Sequence, residues 1–146
     1  MMSDSGKWLV YTDGGSRGNP GPSAIGVVIY DEKGVELWAV GKYIGEGTNN
    51  EAEYSAIESA LEWLRKNAAK WQKEGVKIGF RLDSKLVVEQ LLGNWKIKEP
   101  RMRVLWERCR KIMAELEVGR DIKHIPREEN KRADELVNEA LDKELS

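Results

Sequence analysis

Four acidic residues stand where the surrounding pattern would ordinarily place an apolar or neutral side chain. Asp13 and Asp83 each end an apolar strand pattern, whereas Glu53 and Asp134 lie on the apolar faces of two predicted helices. A buried carboxylate without a partner costs several kcal/mol, and no arginine accompanies these acids in the same patterns. Because hard divalent cations prefer oxygen ligands, the four acids together predict a shared metal site.

Each of these acids also has a simpler interpretation. Asp83 could be the N-cap of the helix that follows it, and Asp134 could be a first-turn acid favoured by the helix dipole. Asp13 precedes two glycines and could form a turn, while Glu53 could sit at the exposed edge of its helix. Spacing alone leaves these alternatives open. The occurrence of such acids in four separate elements favours the metal site.

The chain has one cysteine, Cys109, and one histidine, His124. These counts exclude an internal disulfide, a cysteine-based zinc site and any mechanism that needs two histidines. Carboxylates are therefore the groups that would carry catalysis.

The predicted elements would position the acids in one α/β domain over residues 1–146. Residues 14–23, rich in glycine and proline, predict a turn after the first strand. Three early strands followed by helix-connected strands indicate a five-stranded mixed sheet flanked by helices. Period-two patterns predict strands at 8–12, 24–30, 35–44, 76–83 and 121–125, and three- and four-residue spacing predicts helices at 50–73, 85–92, 100–116 and 130–145.

The composition is that of a soluble globular chain: 146 residues, 40% hydrophobic and 34% charged, with a formal net charge of −1. No apolar run approaches the roughly 18 residues that span a bilayer, and the polar N-terminus lacks a signal-peptide core. We therefore expect a cytoplasmic protein without a membrane partner, and a monomer because no surplus apolar face is evident. Positive charge is concentrated between Asn94 and Lys111, which is either a phosphate-binding face or a solvated helix face.

Four segments resemble, in order, the sequence motifs of type 1 ribonuclease H. Residues 11–22 are similar to the motif of the family's first strand, and residues 48–53 to the second motif, whose final glutamate is catalytic. Residues 82–84 and 127–134 are similar to the third and fourth motifs. The resemblance covers essentially the whole chain. It implies the ribonuclease H-like fold, with strands 1–3 antiparallel and strands 4 and 5 parallel to strand 1.

The resemblance implies an endonuclease that hydrolyses the RNA strand of RNA–DNA hybrids and leaves 5′-phosphate and 3′-hydroxyl ends. Asp13, Glu53, Asp83 and Asp134 would hold two Mg²⁺ ions, for which Mn²⁺ can substitute. Asp13 would bridge both ions, Asp134 would bind one, and Glu53 and Asp83 would bind the other. The alternative is a catalytically weak module of the same fold that binds hybrids or double-stranded RNA.

By the same resemblance, seven residues would line the hybrid-binding surface and read sugars and phosphates without reading bases. The Asn-Asn pair among them could instead be a simple helix cap. The seven residues are Gly14, Ser16, Asn19, Thr48, Asn49, Asn50 and Lys85.

The chain departs from many bacterial relatives at residues 93–103, which are too few for the extra basic helix that grips the DNA strand. This shortening is typical of the archaeal-like subtype. A basic stretch would replace that helix in part, with weaker hybrid binding and stronger salt dependence. The stretch consists of Lys96, Lys98, Arg101 and Arg103, with Trp95 beside it.

The family's flexible-loop histidine has two possible counterparts as an auxiliary residue. His124 lies six residues before Asn130, as that histidine does in some relatives, but its neighbours predict a strand. We therefore interpret His124 as structural. Arg127, in the loop that follows, is the preferred candidate for the assisting role.

Overall fold

The computed structural model describes residues 6–146, which form five strands and five α-helices. The strands are β1 (Lys7–Ser16), β2 (Gly21–Tyr30), β3 (Glu36–Gly47), β4 (Lys77–Leu82) and β5 (Ile122–His124). The helices are α1 (Asn49–Lys66), α2 (Ala68–Lys73), α3 (Lys85–Leu91), α4 (Pro100–Leu116) and α5 (Lys131–Leu145), and a 3-10 turn (Arg127–Glu129) precedes α5. None of these helices has both the length and the apolar character that crossing a lipid bilayer requires.

The strands form one mixed sheet in the order β3-β2-β1-β4-β5. The pairs β1–β2 and β2–β3 are antiparallel, whereas β4 is parallel to β1 and β5 is parallel to β4. This topology confirms the predicted fold class, including the direction of each strand. Because parallel neighbours end at the same edge of a sheet, the C-terminal ends of β1 and β4 lie side by side.

One face of the sheet packs against α1 and forms the main core. Alternation along β1 buries Trp8, Val10 and Thr12 on this face, as the sequence predicts. Burial of apolar surface holds α1 against β1 and thereby fixes the start of α1 beside the end of β1. The buried stripe of α1 includes Ile57, Ala60, Leu61 and Leu64.

The opposite face of the sheet is covered in part by α5, which packs on β2 and β3. The helix comes very close because Gly26 has no side chain: a methyl group there would lie 2.2 Å from the Ala133 carbonyl oxygen. Gly26 is also the register partner of Asp13 in the β1–β2 pair. The close approach therefore brings the first turn of α5, which carries Asp134, next to Asp13.

Several predicted boundaries are wrong for local reasons. The turn predicted at 14–23 is shorter, because β1 continues through Ser16 and pairs with β2 as far as Ser23. The helix predicted at 50–73 is two helices that meet at Asn67, whose side-chain amide donates to the Trp63 carbonyl oxygen over 2.8 Å. The third strand extends to Gly47, three residues beyond its predicted end, so that it leads directly into α1.

Candidate active site

Three of the four predicted acids meet at the carboxyl edge of the sheet. Asp13 lies within β1 and Asp83 directly follows β4, and the register that pairs Thr12 with Leu82 places the two acids side by side. From α1, Glu53 Oε1 accepts a hydrogen bond from the Gly14 N–H over 2.8 Å. One carboxylate oxygen from each acid lies within 4.8 Å of the others. The three oxygens are close enough to share a cation.

Asp134 joins the group from the other face of the sheet. It lies in the first turn of α5, near enough to Asp13 for its charge to raise the pKa of that carboxyl. Asp134 is outside the tight group of three oxygens, so Asp13 is the acid that links the two parts of the site. The structure thus brings all four predicted acids together.

Crowded negative charge dominates the electrostatics of the site. Burial, followed by the charges of Asp83 and Asp134, raises the pKa of Asp13 to about 8. Burial and the charges of Asp13 and Asp83 hold the pKa of Glu53 well above its usual range, and the positive charge of Arg127 opposes this shift. A divalent cation would remove the repulsion, and a donor set made only of carboxylate oxygens fits a hard cation such as Mg²⁺.

Without a bound cation, the repulsion between these buried acids should destabilise the fold at neutral pH. Asp13→Asn should therefore stabilise it, because the variant removes one of the negative charges. The pKa of Asp13 is raised in the folded chain, so the folded state is favoured when this carboxyl is protonated. The free energy of unfolding is therefore least affected by Asp13 below about pH 4, and it falls as the pH rises towards 8. In EDTA at about pH 7.5, we expect the variant to unfold about 5 °C above the wild type, equivalent to about 2 kcal/mol. Near pH 4.5 the difference should shrink by more than half. Thermal unfolding at both pH values tests this, and an equal difference at both would contradict it.

The simpler roles proposed for Asp83 and Asp13 are wrong, whereas that of Asp134 is correct. Ser84, and not Asp83, is the N-cap of α3, because its hydroxyl oxygen accepts from the Val87 N–H. Asp13 lies in an extended strand and not in a turn. Asp134 is indeed a first-turn acid of α5, so the helix dipole favours it where it stands beside Asp13.

The predicted substrate-binding residues around the start of α1 are tied to one another. The side-chain oxygen of Asn49 accepts from the Ser16 N–H, and that of Asn19 accepts from the Asn49 N–H, each over 2.9 Å. Thr48 is the N-cap of α1, and its hydroxyl oxygen accepts from the Glu51 N–H over 3.1 Å. The helix-cap alternative for the Asn-Asn pair is therefore wrong: Thr48 is the capping residue, and Asn49 and Asn50 are the first two residues of α1. The two bonds of Asn49 hold Ser16, Asn19 and Asn49 in one patch, because they join the end of β1 and the turn after it to the start of α1.

The remaining predicted surface residues flank this turn. Asn50 lines a cavity of about 530 Å³ between the start of α1, residues 96–99 and the start of α4, which we call the α1–α4 cavity. Lys85 is the exposed first residue of α3, next to Asp83 and Ser84. The position of both residues is compatible with the predicted surface, and their contact with nucleic acid stays a prediction.

Asn130 is a site residue that the sequence pattern does not reveal. Its side chain is buried, and its amide nitrogen donates to the Thr12 carbonyl oxygen over 2.9 Å and to Asp83 Oδ2 over 3.0 Å. The backbone carbonyl oxygen of Asn130 accepts from the Asp134 N–H over 3.1 Å. An asparagine just before a helix normally predicts an N-cap, but this side chain does not cap α5. Instead it joins the ends of β1 and β4 to the first turn of α5.

The two auxiliary candidates occupy different positions. Arg127, in the 3-10 turn, is near enough to Glu53 for its charge to lower the pKa of that carboxyl. His124 is the last residue of β5, with an exposed side chain, and is the register partner of Leu82. The strand assignment of His124 is confirmed. The assisting role of Arg127 stays a prediction, supported by the effect of its charge on Glu53.

The basic segment between Asn94 and Lys111 is partly neutralised by ion pairs. Residues 92–99 contain no helix, as the shortened sequence predicts, and Lys96 and Lys98 are exposed. The ion pairs are Arg101–Glu51 at 3.1 Å, Arg103–Glu107 at 3.4 Å and Arg108–Glu58 at 2.5 Å.

Comparison with known proteins assigns this chain to a family. A family profile described as reverse transcriptase-like matches residues 11–140. Ribonuclease H of Clostridium botulinum (strain Hall) is 34% identical over 155 aligned positions, which cover 93% of this chain and 96% of that protein. The chain belongs to the type 1 ribonuclease H family.

Two further ribonucleases H are more similar in sequence. Ribonuclease HI of Halobacterium salinarum is 42% identical over 137 residues, which cover 94% of this chain and 65% of that protein. A crystal structure of LC11-RNase H1 in complex with an RNA/DNA hybrid has a TM-score of 0.86 and 48% identity, covering 96% of this chain and 100% of that one. The chain therefore spans less than two thirds of the Halobacterium protein, and only 36% of each of three mycobacterial relatives.

Proposed function

We propose that this chain is an endonuclease that hydrolyses the RNA strand of RNA–DNA hybrids and leaves 5′-phosphate and 3′-hydroxyl ends. The observation that carries the proposal is the group of three carboxylate oxygens within 4.8 Å of one another, extended by Asp134 through Asp13. Such a group destabilises a fold unless a cation binds there, which indicates that the group serves catalysis and not stability. The similarity to proteins named ribonuclease H, one of them crystallised with a hybrid, supports the choice of substrate.

Asp13, Glu53, Asp83 and Asp134 would hold the metal, which we propose to be two Mg²⁺ ions with Mn²⁺ as a substitute. When bound, Mg²⁺ neutralises charge on the scissile phosphate and lowers the pKa of a water molecule so that it can attack. Two ions that share Asp13 would fit the proximity of this residue both to the Glu53 and Asp83 oxygens and to Asp134.

The chain's own groups keep the carboxylates in place. The Gly14 N–H holds one oxygen of Glu53, and the Asn130 amide holds one oxygen of Asp83. Neither carboxylate can therefore rotate away from the group without losing a hydrogen bond, which is the preorganisation that catalysis at a fixed site requires. Arg127 adds a positive charge beside Glu53 that would attract a phosphate group.

Recognition of the hybrid would use the patch around the start of α1. The oxygens of Asn19 and Asn49 accept bonds from the backbone, which orients their amide N–H groups and makes them suitable donors to sugar and phosphate oxygens. The 2′-hydroxyl distinguishes RNA from DNA, and short polar side chains can read it without reading bases. We therefore expect little sequence preference in cleavage.

The basic segment would contribute to binding of the hybrid. The exposed Lys96 and Lys98 would contact the DNA strand in place of the absent basic helix, with Trp95 beside them. We further propose that the chain acts as a monomer in the cytoplasm.

The decisive experiment uses an end-labelled RNA annealed to complementary DNA. With Mg²⁺ the chain should cut the RNA of the hybrid and leave the DNA strand and free single-stranded RNA intact. Excess EDTA should abolish cutting, and Mn²⁺ added beyond the EDTA should restore it, because the acids lose their function without a cation. Phosphatase treatment and gel mobility of the products report the end groups. Retained binding of the hybrid without cutting in either metal would reject the nuclease and favour the binding module.

A further inference from the structure

Glu51 has two structural roles at the start of α1. Its Oε1 accepts from the Thr48 N–H over 2.9 Å and completes a capping box, while its Oε2 pairs with Arg101 Nε at 3.1 Å. The Glu51 side chain is only 16% exposed, whereas that of Arg101 is 73% exposed. The carboxylate is thus fixed on the helix, and the long, solvated arginine is the partner that can move.

This ion pair lies at the wall of the α1–α4 cavity. Thr48 and Asn19 line the same cavity, so it is continuous with the patch proposed to bind the hybrid. Its charged lining consists of three cations and two carboxylates, so most of the positive charge that could attract a phosphate is cancelled within the protein. The charged residues are Lys96, Lys98, Arg101, Glu51 and Glu99.

We propose that Glu51 competes with the nucleic-acid backbone for Arg101 and thereby sets the affinity and salt dependence of hybrid binding. A phosphate that approaches Arg101 must either displace a carboxylate or bind beside it, and both weaken the contact. The capping bond from Thr48 prevents Glu51 from turning away when a phosphate arrives. This inference rests on the proposed function, because it concerns how the same surface holds its substrate.

Glu51→Gln is the informative variant, because a glutamine oxygen can still accept the capping bond from Thr48 while the negative charge is gone. We expect the Kd for an RNA–DNA hybrid, measured by fluorescence anisotropy in EDTA, to fall about two- to fivefold, the size of one exposed charge contact. The slope of log Kd against log salt should steepen by about 0.9, since one more phosphate contact forms. With Mg²⁺, KM should fall while kcat stays unchanged.

Two controls separate this role from a general effect of charge. Glu115→Gln removes the same charge from an exposed pair with Arg65, about 21 Å along α4 from Arg101, and should leave Kd unchanged. Arg101→Ala should weaken binding more in the Glu51→Gln background than in the wild type, because only there is the arginine available.

The outcomes also distinguish this inference from the proposed function. If the wild type neither binds nor cuts the hybrid, the proposed function and the competition for Arg101 are both rejected. If the wild type cuts the hybrid but Glu51→Gln binds it equally or more weakly, only the competition is overturned. A gain that persists in Glu51→Gln/Arg101→Ala also overturns it, since the gain would then not pass through Arg101.

Discussion

Replacing Asp13 with asparagine should abolish cleavage of the hybrid while the chain remains folded. Asp13 is the acid that contacts both Asp134 and the group formed by Glu53 and Asp83, so its loss removes charge from every part of the site. An asparagine offers one neutral oxygen in place of a carboxylate. We expect kcat to fall by at least about 1,000-fold, as when a central catalytic group is removed. Single-turnover cutting of end-labelled RNA in the hybrid, with saturating Mg²⁺, measures the effect.

Asp31→Asn is the matched control for this variant. Asp31 lies in the turn between β2 and β3, at the end of the strands away from the site, and its Oδ1 accepts from the Lys33 and Val35 N–H groups, each over 2.9 Å. An asparagine oxygen preserves both bonds, so this variant should cut at the wild-type rate. Asp13 would lose its assigned role if Asp13→Asn kept more than about a tenth of the wild-type rate. Higher stability of Asp13→Asn in EDTA would exclude unfolding as the cause of lost activity.

Local periodicity explains why the acids could be found in the sequence. Asp13 and Asp83 follow apolar alternation that defines a strand, and Glu53 shares a helical face with Ile57, so each is conspicuous within a few residues of its own segment. The same local patterns predict the order and type of the elements. The resemblance to a known family adds the parallel arrangement of the last two strands, which alternation alone does not specify.

The remaining features depend on contacts between distant parts of the chain. Asn130 is 118 residues from Thr12, and its bond to that strand follows from the depth at which α5 packs on the sheet. That depth depends in turn on Gly26, because the lack of a side chain there lets the backbone of α5 approach the sheet. The pairing of Glu51 with Arg101 likewise requires α4 to return to the start of α1. No local pattern contains this information, because periodicity reports which face of an element is buried and not what covers it.

Gly14→Ala should damage both the fold and the site. The new methyl group would lie 2.2 Å from the Ala52 carbonyl carbon and 2.4 Å from the Glu53 nitrogen, and a backbone cannot move aside as a side chain can. We expect a loss of about 3 kcal/mol in the free energy of unfolding and a fall of about 10 °C in Tm. Because the start of α1 must shift, Glu53 would leave its place, and kcat should fall by about 100-fold even well below the Tm.

Gly15→Ala provides the comparison that separates close packing from a general intolerance of side chains in this strand. Its methyl group would lie 3.3 Å from the Val137 Cγ1, the end of a side chain that can adjust, so Tm should change by about 2 °C or less. Gly14 was predicted from the sequence as a substrate-binding residue, but its packing against α1 assigns it a second task. If Gly14→Ala keeps wild-type kcat while losing stability, the contact between β1 and α1 supports the fold without fixing Glu53. If kcat falls with Tm, the same contact that closes the core also sets the position of the catalytic carboxylate.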